Sequence, residues 1–150
     1  MKLILTKELG RLARWLRILG YDSSFYRQDN SSTLVIVALR EQRVIVTRNS
    51  RLSRFAGPRV VKIDSDFVEI QIRQVLRTLK LKPDPKNMFT RCVLCNATLK
   101  RIGKEEIKDK VPEYVFKTQK DFLQCDQCHR VYWQGTHWGN VRKYLNKLGL

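Results

Sequence analysis

Four cysteines stand in two tight pairs, Cys92-Val-Leu-Cys95 and Cys125-Asp-Gln-Cys128, and the sequence holds no others. Two Cys-x-x-Cys knuckles can wrap one tetrahedral zinc ion with four thiolates. The short spacer lets both sulfurs of a knuckle turn toward one point. The 29 residues between the knuckles suit a ribbon built on hairpins. Disulfides would require an oxidising compartment. No signal-peptide-like apolar stretch develops after Met1, because Lys7, Glu8 and Arg11 intervene. No apolar run is long enough to span a bilayer, so a cytoplasmic, reducing setting is expected. Cys125-Asp-Gln-Cys128-His129 also matches the c-type haem attachment pattern, but haem would leave Cys92 and Cys95 unexplained. A redox role suits one pair and not two. A site closed by four thiolates has no open position, so the expected zinc is structural. Four thiolates also leave His129 and His137 surplus as ligands.

The next chemistry is that of charge. Thirty Lys and Arg stand against 14 Asp and Glu, for a net charge of +16. Residues 1–87 hold 18 basic and 8 acidic residues, so the excess is not confined to the cysteine-bearing end. An excess of this size predicts a polyanionic partner, with nucleic acid the first candidate. A membrane surface is disfavoured, because no single amphipathic helix gathers the basic residues. Arg11, Arg14 and Arg17 recur every three residues and read as one solvated helix edge. With Arg48, Arg51 and Arg54 they form a candidate phosphate-binding surface. Tyr132, Trp133, His137 and Trp138 are interleaved with Arg130 and Lys143. Such aromatics either stack on unpaired bases or pack a ribbon too small to build a core otherwise. Trp15 falls beside an apolar stripe and reads as core.

The elements that must position these groups alternate. Residues 2–6 read as a buried strand, and residues 8–19 as a helix with Leu9, Leu12, Ala13, Leu16 and Leu19 inward and Gly20 as its stop. Ser24-Phe25-Tyr26 is a second strand. Asn30-Ser31-Ser32 caps a helix through about Arg40, with Leu34, Val37 and Ala38 facing in. Arg43–Thr47 is a third strand. Arg48–Arg51 turns into a short helical segment ending near Gly57-Pro58. Val60–Ile63 is a fourth strand, and Asp64-Ser65-Asp66 caps a helix through about Leu79. The pattern predicts an α/β domain with a mostly parallel sheet flanked by helices over residues 1–80. A linker is expected over 81–88, then a small zinc ribbon with a terminal helix over 89–150. Within the ribbon, Val111–Lys117 fits a strand, and residues from about Asn140 to Leu148 fit a helix. Functional groups of such sheets gather beyond the strands' carboxyl ends, here Thr6-Lys7, Thr47-Arg48-Asn49 and Asp64-Ser65-Asp66.

Three stretches carry a family likeness. They are Leu9-Gly-Arg-Leu-Ala-Arg-Trp-Leu-Arg-Ile-Leu-Gly-Tyr-Asp22, Arg91-Cys-Val-Leu-Cys-Asn96, and Cys125-Asp-Gln-Cys-His-Arg-Val-Tyr-Trp-Gln-Gly-Thr-His-Trp138. With Val46-Thr47-Arg48 and Arg51-Leu52, they resemble the Mut-seven C-terminal RNase domain family over nearly the whole chain. The resemblance implies a PIN-like nuclease fold, a C-terminal zinc ribbon and a metal-dependent ribonuclease. It implies three or four carboxylates holding Mg²⁺ or Mn²⁺ at the strand ends. The sequence departs from that pattern where it matters. Thr6 stands where the family usually has an Asp after the first strand, and Asn49 where it has one after the third. The acidic stretch before the second helix is Asn30-Ser31-Ser32, with only Asp29 beside it. Glu8, Asp22, Asp29, Asp64 and Asp66 remain as acids. Glu8 is a partial substitute, and Asp66 serves equally as a helix cap. Three readings follow. The first is an RNA-binding, PIN-like RNase-family protein with a degenerate nuclease site. The second is an active Mg²⁺- or Mn²⁺-dependent ribonuclease using Glu8, Asp29, Asp64 and Asp66. The third is a basic adaptor that docks on a ribonucleoprotein.

Overall fold

A computed structural model describes residues 1–55 and 57–149; the side chains of Thr136 and His137 lie outside the described part. The chain divides into two compact units, Met1–Asn96 and Ala97–Leu150.

The first unit alternates strand and helix: β1 (Lys2–Thr6), α1 (Gly10–Ile18), β2 (Asp22–Tyr26), α2 (Ser31–Arg40), β3 (Arg43–Thr47), β4 (Val60–Lys62) and α3 (Val68–Thr78). All strand pairs are parallel, in the order β2-β1-β3-β4. Leu3, Ile4 and Leu5 are at most 3% exposed, as expected of a central parallel strand covered on both faces. The chain runs from β1 to one neighbour, β2, and then crosses to the other, β3. The order therefore reverses between β1 and β3, and such a reversal opens a crevice beyond the carboxyl ends of the two strands. Thr6 and Thr47 stand at those ends.

Helix α1 follows a 3-10 turn at Lys7–Leu9. Leu9, Leu12, Ala13, Leu16 and Leu19 are all buried, as the stripe predicts, and Trp15 is half-buried. Gly20 ends the helix with φ +90°. Its N–H donates to Arg17 O and that of Tyr21 to Leu16 O, a Schellman closure. A Cβ at Gly20 would lie 2.2 Å from Asn87 O, so both conformation and space require glycine. Asn30 caps α2, accepting from Thr33 N at 2.9 Å. Leu34, Val35 and Ala38 are the buried residues of α2, and Val37 packs more loosely on the same cluster.

Other local expectations are corrected. After Arg51 the helical segment among the described residues is a 3-10 turn, Leu52–Arg54. Phe67, not the acidic triplet, is the N-cap of α3, with no side-chain cap. Ser65 Oγ instead accepts from Phe67 N, and Gln71 Nε2 donates to Ser65 O, so the entry turn is held by neutral groups.

The second unit contains β5 (Leu99–Ile102), α4 (Glu113–Thr118), β6 (Phe122–Cys125), β7 (Val131–Trp133) and α5 (Thr136–Lys147). The strands form an antiparallel sheet in the order β5-β6-β7. The stretch expected as a strand at Val111–Lys117 is instead largely helix α4. Pro112 sits at its N-cap, where a missing N–H costs nothing, and Lys117 pairs with Glu113 one turn apart. Its Val115 and Phe116 pack on Ile107 and Phe122. The terminal helix begins at Thr136, about a turn earlier than expected.

Candidate functional site

Thr6 and Thr47 meet at the reversal between β1 and β3, with 3.0 Å between their hydroxyl oxygens. Both are buried, at 9% and 0% exposure. The 3-10 turn after β1 swings Glu8 back over them. Glu8 Oε1 accepts from Thr6 Oγ1 at 2.5 Å and from the Arg48 N–H at 3.1 Å, and lies 3.4 Å from Thr47 Oγ1. Each hydroxyl has one proton to give. Thr6 donates to the carboxylate, Thr47 donates to the same carboxylate oxygen, and Thr47 accepts from the Asn49 N–H at 3.0 Å. Asn49 Oδ1 is used locally, accepting from the Arg51 N–H at 2.9 Å. Burial pushes the Glu8 carboxyl up. Hydrogen bonds from Thr6, its own backbone, Arg48 and Thr47 outweigh that and hold it below the usual carboxylate range.

These groups line a pocket of about 80 Å³, with Asp29, Asn30 and Tyr26 also on its wall. Of the four candidate acids, the pocket takes Glu8 and Asp29. Asp29 is 79% exposed and pairs with Lys7 at 2.6 Å. Asp64 and Asp66 line no part of it. Asp64 pairs with Lys62 and accepts from Gln74, and those contacts hold its carboxyl below the usual range. Asp66 pairs with Arg48. A hard divalent cation needs several anionic oxygens converging on it. Among the described residues, the pocket brings together Glu8, already engaged by donors, and the exposed, Lys7-paired Asp29, beside two hydroxyls and an amide. The donor set does not fit the carboxylate cluster that the family resemblance implies.

The cysteines behave differently. The Sγ atoms of Cys92, Cys95, Cys125 and Cys128 all lie within 4.8 Å of one another. Sulfurs around a tetrahedral zinc are about 3.8 Å apart at the usual bond length, so this donor set fits the ion with a small inward adjustment. Both knuckles share one backbone form. In the first, the Cys95 N–H donates to Cys92 Sγ at 3.4 Å and the Asn96 N–H to Cys92 O at 2.9 Å. In the second, the His129 N–H donates to Cys125 O at 2.8 Å. Asn96 and His129 occupy the same place and are both left-handed, with φ +68° and +58°. His129 therefore closes a knuckle turn.

Arg17 overturns its expected placement on a solvated edge. It is 5% exposed, whereas Arg11 and Arg14 are exposed. A three-residue step falls about 60° short of a full turn, so the third member of such a series drifts onto the buried side. Its Nε donates to Ser23 O at 2.8 Å, and its Nη1 to Val93 O and Leu94 O at 2.8 and 2.9 Å. Burial lowers its basicity, and the Cys92 and Cys95 thiolates oppose that. Asp22 works beside it. It pairs with Arg43 at 2.6 Å and accepts from Asn96 Nδ2 at 2.8 Å, while Asn96 Oδ1 accepts from the Ser23 N–H. Spacing groups Arg17 with the candidate phosphate ligands and leaves Asp22 among the remaining acids, whereas in the fold both are engaged around the first knuckle. The signal was the co-occurrence of an Arg-rich helix ending in Gly-Tyr-Asp with a knuckle flanked by Arg91 and Asn96.

Arg48, Arg51, Arg54 and Arg130 are exposed, and Trp133 and Trp138 are half-buried. The His137 side chain lies outside the described part. No helix among the described residues is long and apolar enough to cross a membrane.

Fold and site together define a parallel α/β domain with a polar crevice at the strand reversal, in a chain whose four cysteines form a metal-binding cluster. The sequence model of the Mut7-C RNAse domain matches residues 1–145, and the chain belongs to that family. Neither the curated proteins nor the solved structures returned a match.

Proposed function

We propose that this protein is an RNA-binding member of its RNase family in which the nuclease site is degenerate and the zinc is structural. The observation that carries the reading is the engagement of Glu8. The Glu8 carboxylate at the β1–β3 reversal is tied to Thr6, Thr47 and the Arg48 N–H. Thr6 and Asn49 provide no charge that would concentrate a divalent cation. The net charge of +16 and the exposed Arg11, Arg14, Arg48 and Arg51 support attraction of a polyanionic backbone. Arg17 has no part in that surface, because its guanidinium is spent on carbonyls of the first unit.

One observation favours the second reading, an active ribonuclease: Glu8 and Asp29 line the same pocket. A single assay separates the two. The zinc-loaded protein is mixed with labelled single-stranded, duplex and structured RNAs, in Mg²⁺, Mn²⁺ or EDTA, and scored for binding and cleavage. The expected result is salt-sensitive binding without cleavage. Cleavage that requires Mn²⁺ or Mg²⁺ and is lost in Glu8→Gln would establish the active reading. Absence of any RNA binding would leave the adaptor role on a ribonucleoprotein. A degenerate site also predicts a gain. Thr6→Asp with Asn49→Asp places further carboxylates beside Glu8, so the zinc-loaded double variant, unlike the unaltered protein, melts higher with Mn²⁺ than without added divalent metal and acquires Mn²⁺-dependent cleavage.

A further inference from the structure

The sheet of the second unit carries a site that the crevice at the strand reversal does not explain. Opposed residues of an antiparallel ladder share a face. The register therefore sets Arg101, Leu123 and Tyr132 side by side across all three strands. The adjacent row, Ile102, Phe122 and Trp133, points the other way and packs toward Ile107 and Val115. The α4 side of this small sheet is thus its core, which assigns Trp133 largely to packing. Arg101, Leu123, Tyr132 and Trp138 of α5 line a cleft of about 130 Å³, which Phe122 and Trp133 of the adjacent row also reach. Arg101 is exposed, and Tyr132 and Trp138 are half-buried. Asp121 and Gln134 complete the wall.

We propose that this cleft is a stacking site for one unpaired nucleobase of a single-stranded nucleic acid. Resting on the RNA-binding reading above, it names the part of the strand that the second unit holds. Aromatic rings and a guanidinium plane offer π-faces to a base of any sequence. Asp121 accepts from exocyclic amino groups, and Gln134 both donates and accepts, so a base edge finds partners in its plane. Residues 97–150 hold 11 basic and 6 acidic residues, so the phosphates flanking the stacked base meet a field of the right sign. A duplex would not serve, since its bases are stacked on each other and present no free face.

The test uses the full-length, zinc-loaded protein and short single-stranded oligoribonucleotides. One carries 2-aminopurine at a central position, and one is abasic at every nucleotide but keeps all its phosphates. Quenching of 2-aminopurine on binding is expected. Trp138→Ala and Tyr132→Leu should each weaken the intact strand by about 5- to 150-fold, the loss that removal of one base–aromatic stack produces. The dependence of affinity on salt should not change in either variant, because no phosphate contact is removed. The abasic strand should bind the unaltered protein as weakly as the intact strand binds the variants. Equal affinity for intact and abasic strands, or unchanged affinity in both variants, refutes the stacking site while leaving salt-sensitive RNA binding in place. Failure of every strand to bind refutes the RNA-binding reading and this site with it. If Trp138→Ala does not fold, as judged by its zinc content, Tyr132→Leu and the abasic comparison decide the matter.

Discussion

Replacing Arg17 with Met keeps most of the side chain's volume and removes its charge and its donors. The guanidinium makes three short hydrogen bonds, to Ser23 O, Val93 O and Leu94 O. Hydrogen bonds from a charged donor contribute about 1.5–3 kcal/mol each, and a carbonyl left without a partner loses part of its solvation as well. Met restores some apolar packing, because a buried cation is costly to desolvate in the first place. The net loss expected is about 3–5 kcal/mol, in line with the cost of removing one partner from a buried charged contact. Urea slopes near 1–3 kcal/mol/M convert this to a midpoint lower by about 1–5 M. Arg17→Lys keeps the charge but lacks the fork, so it should recover less than half. Because two of the acceptors lie between Cys92 and Cys95, zinc should also be released to a chelator faster in both variants. The assay is urea unfolding of zinc-loaded protein, with metal release followed in parallel. A loss below about 1 kcal/mol, the size of one ordinary hydrogen bond, with unchanged zinc release would refute the account of Arg17 as the fastener of the first knuckle.

Other outcomes follow from the same contacts. Burial pushes the Asp22 carboxyl up, but Arg43, Asn96 and Arg91 outweigh that and hold it below its ordinary value. A carboxyl lowered in the fold contributes stability that is complete above the unfolded value, about 4, and is lost as pH falls through the lower folded value. Asp22→Asn should therefore flatten the decline in stability below about pH 4, read by urea melts of both proteins across that range. Lys80 closes α3 with φ +53°, its N–H donating to Arg77 O and that of Leu81 to Leu76 O. Lys80→Gly relieves a left-handed cost of about 1–2 kcal/mol and adds unfolded-chain entropy of about 0.4–1 kcal/mol, so a gain near 0.5–1 kcal/mol is expected in thermal or urea melts. Cys95→Ser removes one of four clustered thiolates. It should abolish the binding of one zinc per chain, measured by metal analysis, and lower the melting temperature.

The sheet was legible because its strands are short apolar runs between helices with clear start and stop signals. Asn30 and Gly20 act at the ends where such residues usually act. Leu3, Ile4 and Leu5 are apolar in succession because β1 is central. The α4 segment was not legible, because Val115 and Phe116 carry strand propensity and only tertiary packing on Phe122 decides for a helix. The acidic triplet misled for a similar reason. Asp64 and Asp66 find partners in Lys62 and Arg48, and Ser65 and Gln71 hold the turn instead. At the crevice, the departures at Thr6 and Asn49 were visible in sequence. The return of Glu8 onto Thr6 and Thr47 was not, because it depends on a 3-10 turn that breaks the helical phase expected from residue 8 onward.

The distribution of the family's motif residues bears on what membership means chemically. Arg17, Gly20, Asp22, Arg91 and Asn96 spend their polar groups on one another's backbones and side chains. Arg91 donates to Gly20 O and Asn96 O, Asn96 bridges Ser23 and Asp22, and Arg17 reaches Val93 and Leu94. A sequence that keeps these residues keeps the attachment of the first knuckle to α1 and β2. It need not keep the carboxylates at the β1–β3 reversal, because the hydrogen bonds of this network and those of Thr6, Thr47 and Glu8 form separate sets. The motifs that identify the family thus report architecture, and the chemistry must be read separately from what stands at the strand ends. There, on the proposed reading, the Glu8 carboxylate and two threonine hydroxyls hold the loop after β3 rather than assemble a cation and a water against a phosphate.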